Sequence, residues 1–140
     1  IQPEWILTII KQETAGVVRP RFEQHWLSKL EAKKASDDLK ELRYRSMSFG
    51  LGQIMGFNYK RVGAASAKAL YIAPLEDQIT FVARFLAATP ALRAAVAKKN
   101  PNANDFKVVA RRYNGAAYAV NEYDEKIARK FREFVKIRRG

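Results

Sequence analysis

Apolar side chains recur at three- and four-residue spacing along most of this chain, the period of helices that bury one face. Pro3 is suited to a first helical position and opens a helix through about Gln12, with Trp5, Ile6, Ile9 and Ile10 on its apolar side. Gly16 is a natural terminator for it. Val17 to Pro20 reads as a connector, and Phe22, Trp26, Leu27 and Leu30 predict a second helix from Arg21 to about Ala35. Ser36-Asp37-Asp38 offers another helix start, within the charge-dense, solvated segment from Lys29 to Arg45. Pro74-Leu75-Glu76-Asp77 starts a helix with Leu75, Ile79, Val82, Ala83 and Leu86 on one side. Thr89-Pro90 ends it, and Pro90 begins the next, to about Lys99. Asn102 to Asn104 can cap a helix carrying Phe106, Val109, Ala110 and Tyr113 and ending at Asn114-Gly115. The last helix starts near Asn121, turning Ile127, Phe131, Phe134 and Val135 inward and many Lys and Arg outward.

No turn-flanked alternating run predicts a strand, and no internal repeat or interdomain linker is visible. The expectation is a single all-α (mainly α) domain over residues 1–140, with about seven short to medium helices. One stretch breaks the helical pattern. Arg45-Ser46-Met47-Ser48-Phe49-Gly50-Leu51-Gly52-Gln53-Ile54-Met55-Gly56 puts three glycines and a polar amide into an apolar run. Glycine accepts positive φ and lets another chain come close. The stretch reads either as a tight turn entering a short buried helix or as the backbone floor of a ligand site.

Composition narrows the chemistry. Hydrophobic content of 48% beside 29% charged residues is that of a globular protein, and no apolar run approaches the length of a membrane-spanning helix. The chain opens on Ile1 rather than Met, which leaves room for an upstream segment. It has no cysteine, which excludes disulfides, thiolate metal sites and a cysteine nucleophile. A single histidine, His25, argues against a histidine-based zinc site or a Ser-His-Asp triad, and no metal or organic cofactor is expected. Carboxylates are left as the catalytic groups. The net charge of +12 favours an anionic polymer, nucleic acid or membrane surface as partner.

Glu13 is the candidate acid. It follows Ile9 and Ile10 by four and three residues and shares their face at the end of the first helix. Apolar surroundings and the negative end of the helix dipole should both raise its pKa, as a general acid working near neutral pH requires. A surface Glu in a fraying last turn fits the same pattern.

Three signals stand in order: Glu13 within Lys-Gln-Glu-Thr-Ala-Gly, the Gly-rich stretch around Gln53, and Tyr113-Asn114-Gly115 with Tyr118 beyond. This order resembles lysozyme-like lytic transglycosylases and goose-type lysozymes. Arg19-Pro20-Arg21-Phe22-Glu23-Gln24-His25, Phe49-Gly50 leading to Gln53-Ile54-Met55-Gly56-Phe57-Asn58-Tyr59-Lys60, and Asn121-x-Tyr123-Asp124-x-Lys126 extend the likeness. Together they resemble the N-acetylmuramidase domain of phage endolysins over nearly the whole chain. The resemblance implies a lysozyme-like mixed-helical domain with a groove for glycan strands. It implies a peptidoglycan hydrolase, with Glu13 protonating the glycosidic oxygen between N-acetylmuramic acid and N-acetylglucosamine. Ser48, Gln53, Tyr113, Asn114 and Tyr118 are the expected substrate-binding residues, through hydrogen bonds to acetamido and hydroxyl groups and stacking on sugar faces. Glu23 matches the family's Phe-Glu-x-His segment and is either a second catalytic carboxylate or the partner of a structural arginine. Thr14 and Ala116 depart from the family's Ser and Pro at the matching places, and Phe49 and Gly52 from its Trp and bulky aromatic, so with those two a subsite is expected to be wider here.

Retaining, inverting and transglycosylase chemistry all remain open, the last needing only one carboxyl because the sugar's own 6-hydroxyl attacks. The expected partner is bacterial peptidoglycan, met in the periplasm or cell wall by a monomer made in the host cytoplasm. The basic helix from Lys126 to Arg139 is either a core helix with a basic outer face or an amphipathic contact for lipopolysaccharide and anionic lipid. A basic nucleic-acid-binding domain and a non-catalytic wall-binding module are the rivals; the Glu, Gln and Tyr-Asn series has no use in the first, so no nucleic acid is expected.

Overall fold

A computed structural model of the chain describes residues 1–17, 21–22 and 39–140. Among them are seven α-helices: α1 Pro3–Glu13, α2 Leu39–Arg45, α3 Ala67–Ile72, α4 Leu75–Leu86, α5 Pro90–Ala97, α6 Ala103–Tyr113 and α7 Tyr123–Arg139. Three short strands, β1 Arg21–Phe22, β2 Met47–Phe49 and β3 Ile54–Met55, form an antiparallel sheet in that order. The mainly α class holds, but two sequence expectations do not. Arg21 and Phe22 pair with Ser48 and Met47 and do not begin a helix. The Gly-rich stretch is a β-hairpin, with Ser48 opposite Met55 and Phe49 opposite Ile54. Strands of two or three residues are too short to display alternation, which is why the pattern conceals them. The rest of the helix expected from Arg21 to Ala35, and the start at Ser36 to Asp38, lie outside the described residues.

The chain divides into two compact units, residues 1–12 with 85–140, and residues 13–84. The first is a helical cluster around Trp5, whose ring centroid lies 4.9 Å from that of Phe131 and 5.1 Å from that of Phe106. Ile9, Leu92, Val96, Val109 and Ile127 complete its buried core. Its helix starts are chemically fixed. Thr89 accepts from the Leu92 N–H at 3.2 Å ahead of Pro90. Asn102 and Asp105 form a reciprocal capping box, with Lys98 Nζ 2.7 Å from the Asp105 carboxylate. Polar α1 residues are buried here too: Glu4 is fully enclosed and meets Arg138 at 3.1 Å and Arg139 at 3.5 Å. Thr8 Oγ1 and Trp5 Nε1 are buried without a hydrogen-bond partner among the described residues.

The second unit packs α2, the hairpin, α3 and most of α4 around Leu42, Phe49, Leu51, Ile54, Val62, Leu70 and Val82. Ser66 caps α3 by accepting from the Ala69 N–H at 3.1 Å, and Glu41 on α2 accepts from the Ala67 N–H at 2.8 Å. The apolar stripe expected on α4 is only partly inward. Val82 and Leu86 are buried, but Leu75 and Ile79 are exposed. The packed face runs instead through Gln78, Val82 and Phe85, spaced by four and three residues. An amide therefore occupies a position that apolar counting assigns elsewhere.

Candidate functional site

The hairpin loop Gly50–Gln53 is folded by its own polar groups. Gly50 (φ 72°) and Gln53 (φ 49°) both take left-handed backbone, and the Gln53 N–H donates to the Gly50 carbonyl at 3.2 Å. The Gln53 side chain repeats that bond, Nε2 donating to the same carbonyl at 3.1 Å. Ser48 Oγ donates to Gln53 Oε1 at 2.9 Å. Ser48 and Gln53, both expected at the substrate, are thus brought together, and part of their hydrogen-bonding capacity organises the loop itself. Gly56, just beyond β3, allows the main chain of Tyr44 and Arg45 to pass close to the hairpin.

Glu13 is the last residue of α1 and is half-buried. Beyond it the chain turns through Ala15 (φ 52°) and Gly16 (φ 87°), as the glycine predicted. Thr14 holds this turn and the loop at once. Its Oγ1 accepts from the Gly16 N–H at 3.2 Å and donates to the Leu51 carbonyl at 2.9 Å. The same Leu51 offers its N–H to Gln78 Oε1 at 3.0 Å, and Gln78 Nε2 donates to the Ala73 carbonyl at 2.9 Å. Gly50 makes room for that amide: a Cβ there would lie 2.9 Å from Gln78 Oε1. Phe49, Leu51, Ile54, Leu70 and Phe81 line an apolar recess around it. Close by, Arg45 lies 3.5 Å from Glu41 and over the Tyr59 ring at 5.5 Å.

Tyr113, Asn114 and Tyr118 belong to the other unit and cluster at the C-terminal end of α6. Tyr113 is half-buried, its ring meeting Phe85 edge-on at 4.9 Å, so it serves the apolar stripe. Asn114 is the exposed C-cap and donates its N–H to Ala110 O. Gly115 (φ 116°) reverses the chain, and the Tyr118 N–H donates to its carbonyl at 3.2 Å. The Arg111 guanidinium stands 5.8 Å from the Tyr118 ring. This surface offers an amide, a phenol and a cation.

Glu23 and His25 lie outside the described residues, as do Asp37 and Asp38. Two residues of this region escape sequence reading. Thr14 registers there only as a departure from Ser, and Gln78 carries no motif. The signal for Gln78 was its spacing with Val82 and Phe85, since an amide on a packed face demands partners. On α7, Phe131 is buried and Phe134 half-buried, while Ile137 is 78% exposed. Lys130 Nζ donates to Gln12 Oε1 at 2.8 Å. Burial, reinforced by the charges of Lys11 and Arg129, holds the Lys130 pKa below the usual lysine value.

Comparison with known proteins gives these features a context. A search of curated proteins finds no match. The fold matches the crystal structure of Burkholderia AP3 phage endolysin with a TM-score of 0.67 at 20% identity. That match covers 94% of this chain and 63% of the endolysin, so the chain spans less than two thirds of that protein's length. A family model for N-acetylmuramidases matches residues 20–135, a stretch that contains Glu23, the hairpin and the Tyr113–Tyr118 turn and begins after Glu13. With most of its length matched by that model, the chain belongs to the N-acetylmuramidase family, a family of peptidoglycan hydrolases.

Proposed function

We propose that this chain cleaves the β-1,4 bond between N-acetylmuramic acid and N-acetylglucosamine in bacterial peptidoglycan, with Glu13 as general acid. The observation that carries the reading is the placement of Glu13. It is a half-buried carboxyl at the C-terminal end of α1, and its neighbour Thr14 is bonded to the glycine-rich loop at 2.9 Å. Partial desolvation and the negative end of a helix both favour the protonated form of a carboxyl. A protonated carboxyl is what the departing glycosidic oxygen requires as the bond breaks through an oxocarbenium-like transition state. Ser48, Gln53, Tyr113, Asn114 and Tyr118 are the proposed glycan contacts, and Glu23 the candidate second carboxylate. The outer face of α7, with Arg129, Arg132 and Lys136 exposed, is proposed to attract anionic outer-membrane lipid or lipopolysaccharide.

The test is mass spectrometry of soluble fragments released from purified peptidoglycan by the native chain, Glu13→Gln and Glu23→Gln. Reducing N-acetylmuramic acid ends, absent with Glu13→Gln, are the expected result. If 1,6-anhydro ends appear instead and vanish with Glu13→Gln, the chain is a lytic transglycosylase and Glu23 need not act on water. Full activity in Glu13→Gln would remove Glu13 from the mechanism.

A further inference from the structure

Leu51 has its peptide groups held from two sides. Its carbonyl accepts from Thr14 Oγ1 at 2.9 Å, and its N–H donates to Gln78 Oε1 at 3.0 Å. Gln78 is itself held, Nε2 donating to the Ala73 carbonyl at 2.9 Å. The amide reaches the loop only because residue 50 has no Cβ, which would stand 2.9 Å from Oε1 and 3.1 Å from Cδ. Leu51 is 7% exposed, so water is a poor substitute partner for its N–H. The chain of bonds therefore runs from α4 through the Leu51 peptide to the residue that follows Glu13.

We propose that Gln78 is a positioning residue of the hydrolase site, a role that rests on the assignment of Glu13 above. Gln78 sets the height of the Leu51 peptide. Through the Leu51 Cα the next peptide group, which carries the Leu51 carbonyl, sets Thr14, and Thr14 fixes the end of α1 on which the Glu13 carboxyl is carried. The amide suits this task because one group must both accept from Leu51 and donate to Ala73. An apolar side chain at position 78 fills the space yet leaves both groups unpaired, and the loop shifts to find other partners. A displacement near 1 Å between an acid and its target lowers rate by about 100-fold in other enzymes. A partial shift here should lower kcat by about 10-fold or more and leave substrate capture by the remaining surface intact.

The experiment measures fragment release from purified peptidoglycan over a range of substrate concentrations for Gln78→Met, Gln78→Glu and Glu13→Gln. Rates are taken below the onset of unfolding and normalised to the folded fraction. Gln78→Met is expected to lose about tenfold or more in kcat with the apparent KM within about twofold of the native value. Gln78→Glu supplies a second, independent readout. Its ionised carboxylate accepts from Leu51 but repels the Ala73 carbonyl, whereas its protonated form both accepts and donates. The ratio of its kcat to the native kcat at the same pH should therefore rise as pH falls from 8 towards about 5, nearer the carboxyl range. A native kcat in folded Gln78→Met overturns the proposal, as does a ratio for Gln78→Glu that stays flat with pH. If Gln78→Met does not fold, the pH ratio of Gln78→Glu decides alone. Activity retained in Glu13→Gln is a separate failure, of the acid assignment and not of the clamp.

Discussion

Gly56→Ala isolates how closely α2 and the hairpin approach. A Cβ on residue 56 would stand 2.0 Å from the Tyr44 carbonyl oxygen, 2.7 Å from its carbon and 2.8 Å from Arg45 Cα. All three are backbone atoms, so no side chain can swing aside. Ordinary contact begins at 3.4 Å, which leaves a main-chain displacement on the order of 1 Å to be found. The end of α2 resists it: the Ser46 N–H donates to Leu42 O at 3.1 Å, and Ser46 Oγ donates to the same carbonyl at 2.8 Å. Overpacking costs about 1–3 kcal/mol where side chains can adjust. With main chain as the obstacle, about 3 kcal/mol or more is expected, a fall in Tm of about 10 °C at this chain length. Gly16→Ala is the matched control. Among the described residues no atom lies within 4 Å of a new Cβ on residue 16, but its φ of 87° remains, so the conformational cost of about 1–2 kcal/mol is the one expected. Thermal denaturation by circular dichroism under one buffer compares the two. Gly56→Ala no less stable than Gly16→Ala would refute the close approach of the α2 backbone to the hairpin.

Two further substitutions probe the buried polar residues of α1. Burial alone would raise the Glu4 pKa. A backbone hydrogen bond and the Arg138 and Arg139 guanidiniums outweigh it, so the folded value lies below the ordinary 4.5. A depressed carboxyl pKa contributes stability that is present above the unfolded value and lost as pH falls through the folded one. Glu4→Gln should therefore lower stability by about 1–2 kcal/mol at neutral pH, moderated because both arginines keep some access to solvent. The gap from the native protein should shrink below pH about 4.5; a gap constant from pH 7 to 3 in paired melts would disprove the linkage. Thr8→Val removes a fully buried hydroxyl that has no hydrogen-bond partner among the described residues and should stabilise by about 1 kcal/mol in urea titration. Destabilisation would show that the hydroxyl is satisfied in solution.

Helices were legible where one face is apolar and an end is marked by Pro, Asn or Thr. Asn102 caps the helix its position foretells, while Thr89, read from sequence as the end of α4, also caps α5. The hairpin was not legible, because five residues in two strands carry no period and the glycines fit a turn of any kind. The α4 stripe misled for a more physical reason. Leu75 and Ile79 are as apolar as Val82, yet they stand in solvent because the tertiary contact selects the face that carries Gln78. Half-buried, Gln78 has both ends of its amide paired, and its partners are a peptide 27 residues away and a carbonyl in the preceding loop. No local rule supplies those partners. Of the candidate site residues, motif order singles out Ser48 and Gln53, which the hairpin joins, and Tyr113, Asn114 and Tyr118, which the α6 turn joins. It passed over Thr14 and Gln78, whose value lies in bonds to the main chain of Leu51.

The net charge of +12 reads differently once its cations are located. Arg138 and Arg139 are drawn to the buried Glu4, Arg139 also reaches Gln2 and the Lys99 carbonyl, and Lys11 pairs with Glu133. Lys130 holds Gln12, and Lys98 holds Asp105. These charges fasten α1 and α7 to one another and to the loop before α6, and the end of α5 to the start of α6. Ile127 and Phe131 are buried among the same helices. Lifting α7 away to enter a lipid surface would expose those side chains and strip Glu4 of its counter-charges, a cost of several kcal/mol with only Ile137 already outside. The proposed attraction of an anionic envelope by this helix would therefore act from the folded chain, through Arg129, Arg132 and Lys136 on its outer face. Such attraction is long-ranged, weakens with salt and calls for no insertion. Charge of this kind would gather the chain at a negative wall, leaving cleavage to the acid proposed at the end of α1.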